Sequence, residues 1–272
     1  MKYNMDSKIK LISHRFLTFS KIENSADGLR AALDYEVPNV EFDIRIAKCG
    51  TPVVYHDPEA IDIKGLSHKI NTVKFSNFNI LKGRFKSIPS LDQVLEIIAN
   101  HKNKKTKLLI DIKDFGYEEN ILDHIVKKKL SDRTIYVSWL PEVIYSLNKL
   151  TPTSKFCFSY WCKSPSVIIK ENHIVFKSHN GEIKNPLATN NIGKSSGWYV
   201  KGVLKGKLRD IVSIVCIPRQ MIDRNLVNEY HKYGIEVSSF SYLNLNDIVK
   251  DKKHYKIDYF FVDNKKVFDD IN

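Results

Sequence analysis

The run Val40-Glu-Phe-Asp-Ile-Arg-Ile-Ala-Lys-Cys-Gly-Thr-Pro-Val-Val-Tyr-His-Asp57 decides how this chain is read. Its first part, Val40–Ile44, is an apolar run broken by two carboxylates. Glu41 and Asp43 stand two apart, so on a strand they share one face. A second strand is expected over Pro52–Tyr55. Only Ala47-Lys-Cys-Gly-Thr51 separates the first strand from it. A parallel crossover needs about a dozen residues or more, so this link makes an antiparallel hairpin. The hairpin returns His56 toward Glu41.

Working outward, further strands are expected at Lys10–Ser13, Lys107–Ile112, Thr134–Ser138, Lys155–Ser159, Ser213–Ile217, Glu236–Ser239 and Tyr259–Val262. Most are continuous apolar runs, the pattern of parallel strands covered on both faces. Helical patterns lie between them. Ala26–Tyr35 puts Leu29, Ala32 and Leu33 on one face. Ser90–Asn100 opens on a Ser cap and groups Leu91, Val94, Leu95 and Ile98. Asn225–Tyr233 and Asn244–Asp251 read alike. This alternation predicts a (β/α)₈ TIM barrel, with a small hairpin or insertion above its C-terminal face. An open doubly wound sheet is the alternative, but no Gly-x-Gly-x-x-Gly follows the first strand. Residues 58–88 read as the insertion, and 171–208 as an extra hairpin or a lid. No linker, repeat or low-complexity run marks a boundary, so a single domain over 1–272 is expected.

Apolar residues make up 43% and charged residues 27% of the 272, which excludes disordered and collagen-like classes. The net charge of +12 favours anionic partners. It is spread along the chain and no nucleic-acid motif accompanies it, so no nucleic-acid partner is expected. No apolar stretch approaches a transmembrane span. The four cysteines form no Cys-x-x-Cys pair. A cytoplasmic protein with reduced thiols is the expectation.

The polar residues inside these strands fall at their C-terminal ends, where barrel active sites sit. His14 and Arg15 end the first strand, Glu41 and Asp43 lie on the second, and Asp111 and Lys113 end the third. Three carboxylates supply hard oxygen ligands for Mg²⁺ or Ca²⁺. Arg15 and Lys113 suit a phosphate, Arg as a fork and Lys as a point charge. His14 and His56 suit acid–base work near neutral pH. Each element has a plainer reading taken alone: a structural histidine, a Glu-x-Asp paired with lysine, an Asp111–Lys113 salt bridge. Joint placement at successive strand ends favours the site, because charge inside apolar strands is costly unless paired or functional.

Ile12-Ser-His-Arg15, Glu23-Asn-Ser25, Val40-Glu-Phe-Asp-Ile-Arg45 and Val53-Val-Tyr-His-Asp57 resemble the glycerophosphodiester phosphodiesterase family. Ile88–Leu95 and Leu109-Ile-Asp-Ile-Lys113 continue the resemblance, and Val237–Tyr242 and Ile257–Asp263 extend it more weakly. It implies a TIM barrel that hydrolyses a phosphodiester of glycerol phosphate or a lysophospholipid. It implies that His14 and His56 are the acid–base pair, that Glu41, Asp43 and Asp111 hold a divalent cation, and that Arg15 and Lys113 bind phosphate. The implied route is attack by the substrate's own neighbouring hydroxyl, giving a cyclic phosphate that water opens. No enzyme nucleophile is then needed.

Three positions depart from the family pattern. Phe16 replaces the usual Gly and is expected to narrow the mouth or reshape its glycerol side. Asp111 replaces the usual Glu, and Phe240 a Trp. An altered substrate is expected. One alternative is a lysophospholipase D or sphingomyelinase D-like enzyme, with Phe16, Trp139, Trp161 and Trp198 lining an apolar groove. The other is a non-catalytic barrel that binds phosphate-bearing ligands.

Overall fold

The computed structural model describes residues 9–163, 183–184 and 198–271. The strands are β1 (Lys10–His14), β2 (Asn39–Ile46), β3 (Pro52–Val54), β4 (Glu59–Ile61), β5 (Ser67–Lys69), β6 (Lys107–Ile112), β7 (Thr134–Ser138), β8 (Lys155–Lys163), β9 (Ile183–Lys184), β10 (Trp198–Lys201), β11 (Ile214–Pro218), β12 (Glu236–Tyr242) and β13 (Tyr259–Val262). Eight of them close a parallel barrel in the order β1-β2-β6-β7-β8-β11-β12-β13. Pairing of β13 with β1 shuts the ring.

Alternation along the strands explains why the sequence reads as continuous apolar runs. Val40, Phe42 and Ile44 face outward into the layer between barrel and helices, as do Leu108, Ile110 and Ile112. The helix Leu91–Asn100 covers part of that layer and is fixed by a reciprocal cap, with Ser90 and Gln93 each bonding the other's backbone. Inside the barrel, Ile12, Leu109, Val137, Cys157, Ile214 and Phe261 form a second packed core. Glu41, Asp43 and Asp111 sit on the inward positions of β2 and β6.

β3 departs from the parallel order, as the short link requires. It pairs antiparallel with β2, with Ile44 opposite Val54 and Ile46 opposite Pro52. The turn closes through Ala47 N–H to Thr51 O at 3.0 Å. Gly50 has φ +78°, a conformation that favours glycine.

Beyond β3 the chain makes an excursion above the mouth. β4 and β5 form a hairpin. Short helices at Phe78–Leu81 and Gly83–Ser87 pack beneath it. Ala60, Ile70, Phe78, Phe85 and Ile88 form a small separate core with Ala47, Val53 and Tyr55 of the preceding hairpin.

The hairpin-or-lid reading of 171–208 falls mostly outside the described residues. Its described part includes β10, which pairs parallel with the end of β8 and antiparallel with β9. β8 runs four residues past its expected end at Ser159 and so reaches β10. Among the described residues, no helix is long and apolar enough to cross a membrane.

Candidate active site

The strand register assembles the site. His14 on β1 stands opposite Glu41 on β2. Asp43 on β2 stands opposite Asp111 on β6. The hairpin adds His56, because Tyr55 N–H bonds Asp43 O at 3.0 Å and carries the ladder one step further. Arg45 Nε then holds His56 O at 2.9 Å. His14, Arg15, Glu41, Asp43, His56, Asp111 and Lys113 all line one cavity of about 470 Å³ at the barrel mouth.

The three carboxylates offer oxygens within 4.8 Å of one another, and all three are buried. Their charges are handled unequally. Burial pushes Asp43 toward its neutral form, but the Lys113 and Arg15 cations outweigh burial and hold its pKa well below the ordinary range. Arg15 Nε lies 3.3 Å from Asp43 Oδ2 and Lys113 Nζ 2.9 Å from Asp43 Oδ1. Asn24 locks the same group, giving Nδ2–H to Asp43 Oδ2 at 2.9 Å and accepting Asp43 N–H on Oδ1 at 3.2 Å. Glu41 is the opposite case. Burial, then Asp43 and Asp111, push its pKa well above the ordinary value. It accepts Arg15 N–H at 3.2 Å.

Lys113 bonds Asp111 Oδ2 at 2.5 Å, so the plainer salt-bridge reading of that pair is present in the structure. Burial alone would favour a neutral amine, but Asp111 and Asp43 reverse this and raise its pKa. Asp111 Oδ1 is buried and has no hydrogen-bond partner among the described residues. Three carboxylates thus face two cations. An orphaned oxygen and a carboxylate that resists ionising mark a place lacking positive charge. A divalent cation among Glu41, Asp43 and Asp111 fits this donor set.

Each histidine is held from behind. Asp263, just past β13, lies 2.7 Å from His14 Nδ1. Asp57 lies 2.9 Å from His56 Nδ1. These contacts occupy Nδ1 of both rings, so a proton exchanged with a ligand would pass through Nε2. His14 Nε2 is 3.9 Å from Glu41 Oε2. His56 is buried, which lowers its pKa against the opposing pull of Asp43 and Asp57. Asp263, Asn24 and Asp57 lie within the family-like runs, and their spacing alone does not mark them as partners of these groups. Glu23 is another such residue. It bonds Arg15 Nη1 at 3.2 Å and Arg84 Nη2 at 2.9 Å, tying the mouth to the excursion.

One expectation about the rim changes. Phe16 does not narrow the mouth. It is fully buried between barrel and helices, with its ring 5.7 Å from Phe42. Arg15 and Phe16 both have positive φ, 50° and 60°, so the chain reverses at once after β1. Arg15 lines the mouth cavity, whereas Phe16 packs in the outer core. The conformation explains why Gly suits this position. Gly28 leaves room for the ring, since a Cβ there would meet Phe16 Cβ at 2.9 Å. Phe16→Ala is expected to cost about 3–5 kcal/mol in urea unfolding, the scale for a core Phe, with little change in the mouth. Trp139 and Phe240 do line the mouth. The side chains of Trp161 and Trp198 lie outside the described residues.

A model of the glycerophosphoryl diester phosphodiesterase family matches residues 12–267. The chain belongs to that family. As a family member it is a phosphoric diester hydrolase, on the fold its relatives share. A Silicibacter pomeroyi protein assigned to the same phosphodiesterases superposes with a TM-score of 0.73 at 16% identity, covering 98% of this chain and 94% of that one. An Oleispira antarctica phosphodiesterase, solved with the product sn-glycerol-3-phosphate, gives 0.68 at 16% identity and covers 96% of each chain. An uncharacterized Mycoplasma genitalium protein, MG293, is 26% identical over 176 residues, 58% of this chain and 70% of that protein.

Proposed function

We propose that this phosphodiesterase hydrolyses a glycerophosphodiester by acid–base catalysis through His14 and His56, with Glu41, Asp43 and Asp111 holding Mg²⁺ or Ca²⁺. The observation that carries the reading is the buried carboxylate trio, flanked by two histidines that each have a carboxylate behind Nδ1. With a divalent cation, the trio plus Arg15 and Lys113 leaves one net positive charge. That balance suits a phosphodiester monoanion. The Oleispira antarctica neighbour holds sn-glycerol-3-phosphate, a ligand of the size the mouth cavity admits.

His56, kept neutral by burial, takes the proton of the substrate's neighbouring hydroxyl as that oxygen attacks phosphorus. His14 gives its proton to the departing alkoxide. A cyclic phosphate results. His14 then takes a proton from water as its oxygen attacks, and His56 returns the first proton to the ring oxygen that leaves. Arg15 and Lys113 orient the phosphoryl oxygens. Glu41, Asp43 and Asp111 would hold a cation that, when bound, would offset the charge that builds on those oxygens. The trio and both histidines favour this over a barrel that only binds phosphate, because binding alone requires neither acid nor base.

Lysophospholipids are the second reading. A groove of about 1070 Å³ shares Lys113 and Trp139 with the mouth and continues past Tyr55, Phe115 and Tyr117. We also read the chain as one catalytic barrel domain with 58–88 as its insertion. The free thiols of Cys49, Cys157 and Cys216 accord with a reducing cytoplasm.

A substrate panel across Mg²⁺ and Ca²⁺, with a chelator control, tests the assignment. Glycerophosphodiesters are expected to turn over faster than aryl phosphodiesters, which lack the neighbouring hydroxyl. If neither is cleaved with either metal, the assignment fails. The pH profile of kcat/KM supplies a separate check. Burial lowers the His56 pKa, so the acid limb is expected below pH 6.5, the ordinary imidazole value.

A further inference from the structure

Twelve large apolar side chains are exposed among the described residues, and six of them lie on the 58–88 excursion and the loop after β6. Ile61, Ile63, Leu66 and Ile80 belong to the 59–88 excursion, and Phe115 and Tyr117 to the loop after β6. Ile63 is 65% exposed, Leu66 57% and Ile80 75%. Scattered surface leucines need no explanation, but Ile61 lines one groove with Phe115 and Tyr117, and the Ile63 N–H bond to Leu81 O sets the tip beside the residue that follows Ile80.

The tip that carries Ile63 and Leu66 is firmly built. Asp62 Oδ1 accepts Lys64 N–H at 2.8 Å and Leu66 N–H at 3.0 Å, and Asp62 Oδ2 lies 2.8 Å from His68 Nε2. Ile63 N–H bonds Leu81 O at 3.0 Å. A Cβ on Gly83 would meet Ile61 O at 2.6 Å, so the hairpin sits tightly on the segment below. A loop fixed this way holds its apolar side chains outward by construction.

Charge surrounds the apolar tip. Residues 58–88 carry six Lys and Arg against two Asp and Glu. Lys64, Lys69, Lys74, Lys82 and Lys86 are exposed and make no ion pair among the described residues. Lys64 stands between Ile63 and Leu66 on the tip itself. Ile61, Phe115 and Tyr117 also line the groove that opens into the mouth through Lys113 and Trp139.

We propose that this face docks on an anionic phospholipid bilayer, Ile63, Leu66 and Ile80 entering the interface and the flanking lysines meeting the headgroups. Apolar insertion ringed by Lys is the chemistry of an interfacial anchor. A second copy of this chain would bring the same lysines against each other, which charge opposes. Docking turns the groove toward the lipid surface, so a phosphodiester drawn from that surface has a short path to His14 and His56. That last step rests on the catalytic reading, whereas the docking does not.

Cosedimentation with vesicles tests the docking apart from catalysis. The wild-type chain is expected to bind vesicles of equal phosphatidylglycerol and phosphatidylcholine, and to release as salt rises. The double variant Ile63→Ser, Leu66→Ser is expected to bind them about tenfold more weakly. It should cleave a water-soluble glycerophosphodiester as wild type does, which shows that it is folded. Lys64→Glu with Lys82→Glu should weaken binding similarly. No wild-type binding to anionic vesicles, or binding unchanged in the Ser variant, overturns the proposal. So does a dimer on a sizing column that the Ser variant splits. Absence of glycerophosphodiester cleavage in wild type would count against the catalytic reading alone.

Discussion

His56→Ala is expected to lower kcat on a glycerophosphodiester by about 10²–10⁴-fold, and His14→Ala by a similar factor, with KM changed much less. Both effects follow from position. His56 sits against Asp43 and Asp57, and burial favours its neutral ring at the pH where a base is needed. His14 is fixed by Asp263 at 2.7 Å and approaches Glu41 from the other side of the cavity. Neither ring belongs to the carboxylate trio or to the packed apolar cores. The variants should therefore fold and keep their metal. Their activity ratio under single-turnover conditions checks the assignment. Asp263→Asn should act through His14. It should lower kcat, leave KM nearly alone and shift the pH profile, whereas a purely structural loss would lower the fraction of active enzyme at every pH.

The second large effect concerns the carboxylates, and here stability and activity should separate. Glu41→Gln and Asp43→Asn should both abolish turnover, because each removes one of the proposed metal ligands. Without metal they should move stability in opposite directions. Asp43 answers two buried cations, so its loss should destabilise by about 3–5 kcal/mol, the scale for breaking a buried ion pair. Glu41 is pushed up by burial and by its carboxylate neighbours, so a neutral amide should stabilise the chelated fold at neutral pH. The pH dependence carries the same sign. The folded chain binds the Glu41 proton more tightly than the unfolded chain does. Its contribution to stability therefore falls as pH rises above the ordinary value of 4.5 toward the raised value, and returns on acidification. Glu41→Gln should remove that component. Urea melts of both variants in EDTA, at two pH values, check it.

Much of this site was legible in the sequence because barrel geometry converts strand position into spatial position. Glu41 and Asp43 share a face by their spacing, and Asp111 meets Asp43 because β2 and β6 are neighbours in register. His56 was placed by a link too short to cross over. What stayed hidden depended on contacts made by the closed ring. Asp263 lies 249 residues from His14 and meets it only because β13 pairs with β1. Asp263 follows the last apolar run, so closure of the barrel was the one signal that pointed to it. Asn24 sits in a loop whose path no periodicity encodes.

Phe16 misled for a different reason. Nothing in a phenylalanine declares positive φ, so its ring was expected at the mouth beside Arg15. Two left-handed residues in succession send the ring into the core instead. The apolar face of the excursion was equally hidden. Residues 58–88 read only as an insertion, with no face assigned to Ile61, Ile63 or Leu66. Only the pairing of β4 with β5 shows that Ala60 faces inward while Ile61 faces out.

The most direct test follows phosphorus by NMR in one sample of a glycerophosphodiester with the wild-type chain and Mg²⁺ or Ca²⁺. The expected result is conversion to glycerol phosphate, stopped by EDTA and reduced to background by His56→Ala. Turnover that persists in EDTA or in His56→Ala, or its absence in wild type with either metal, would contradict a metal-assisted acid–base site at this barrel mouth.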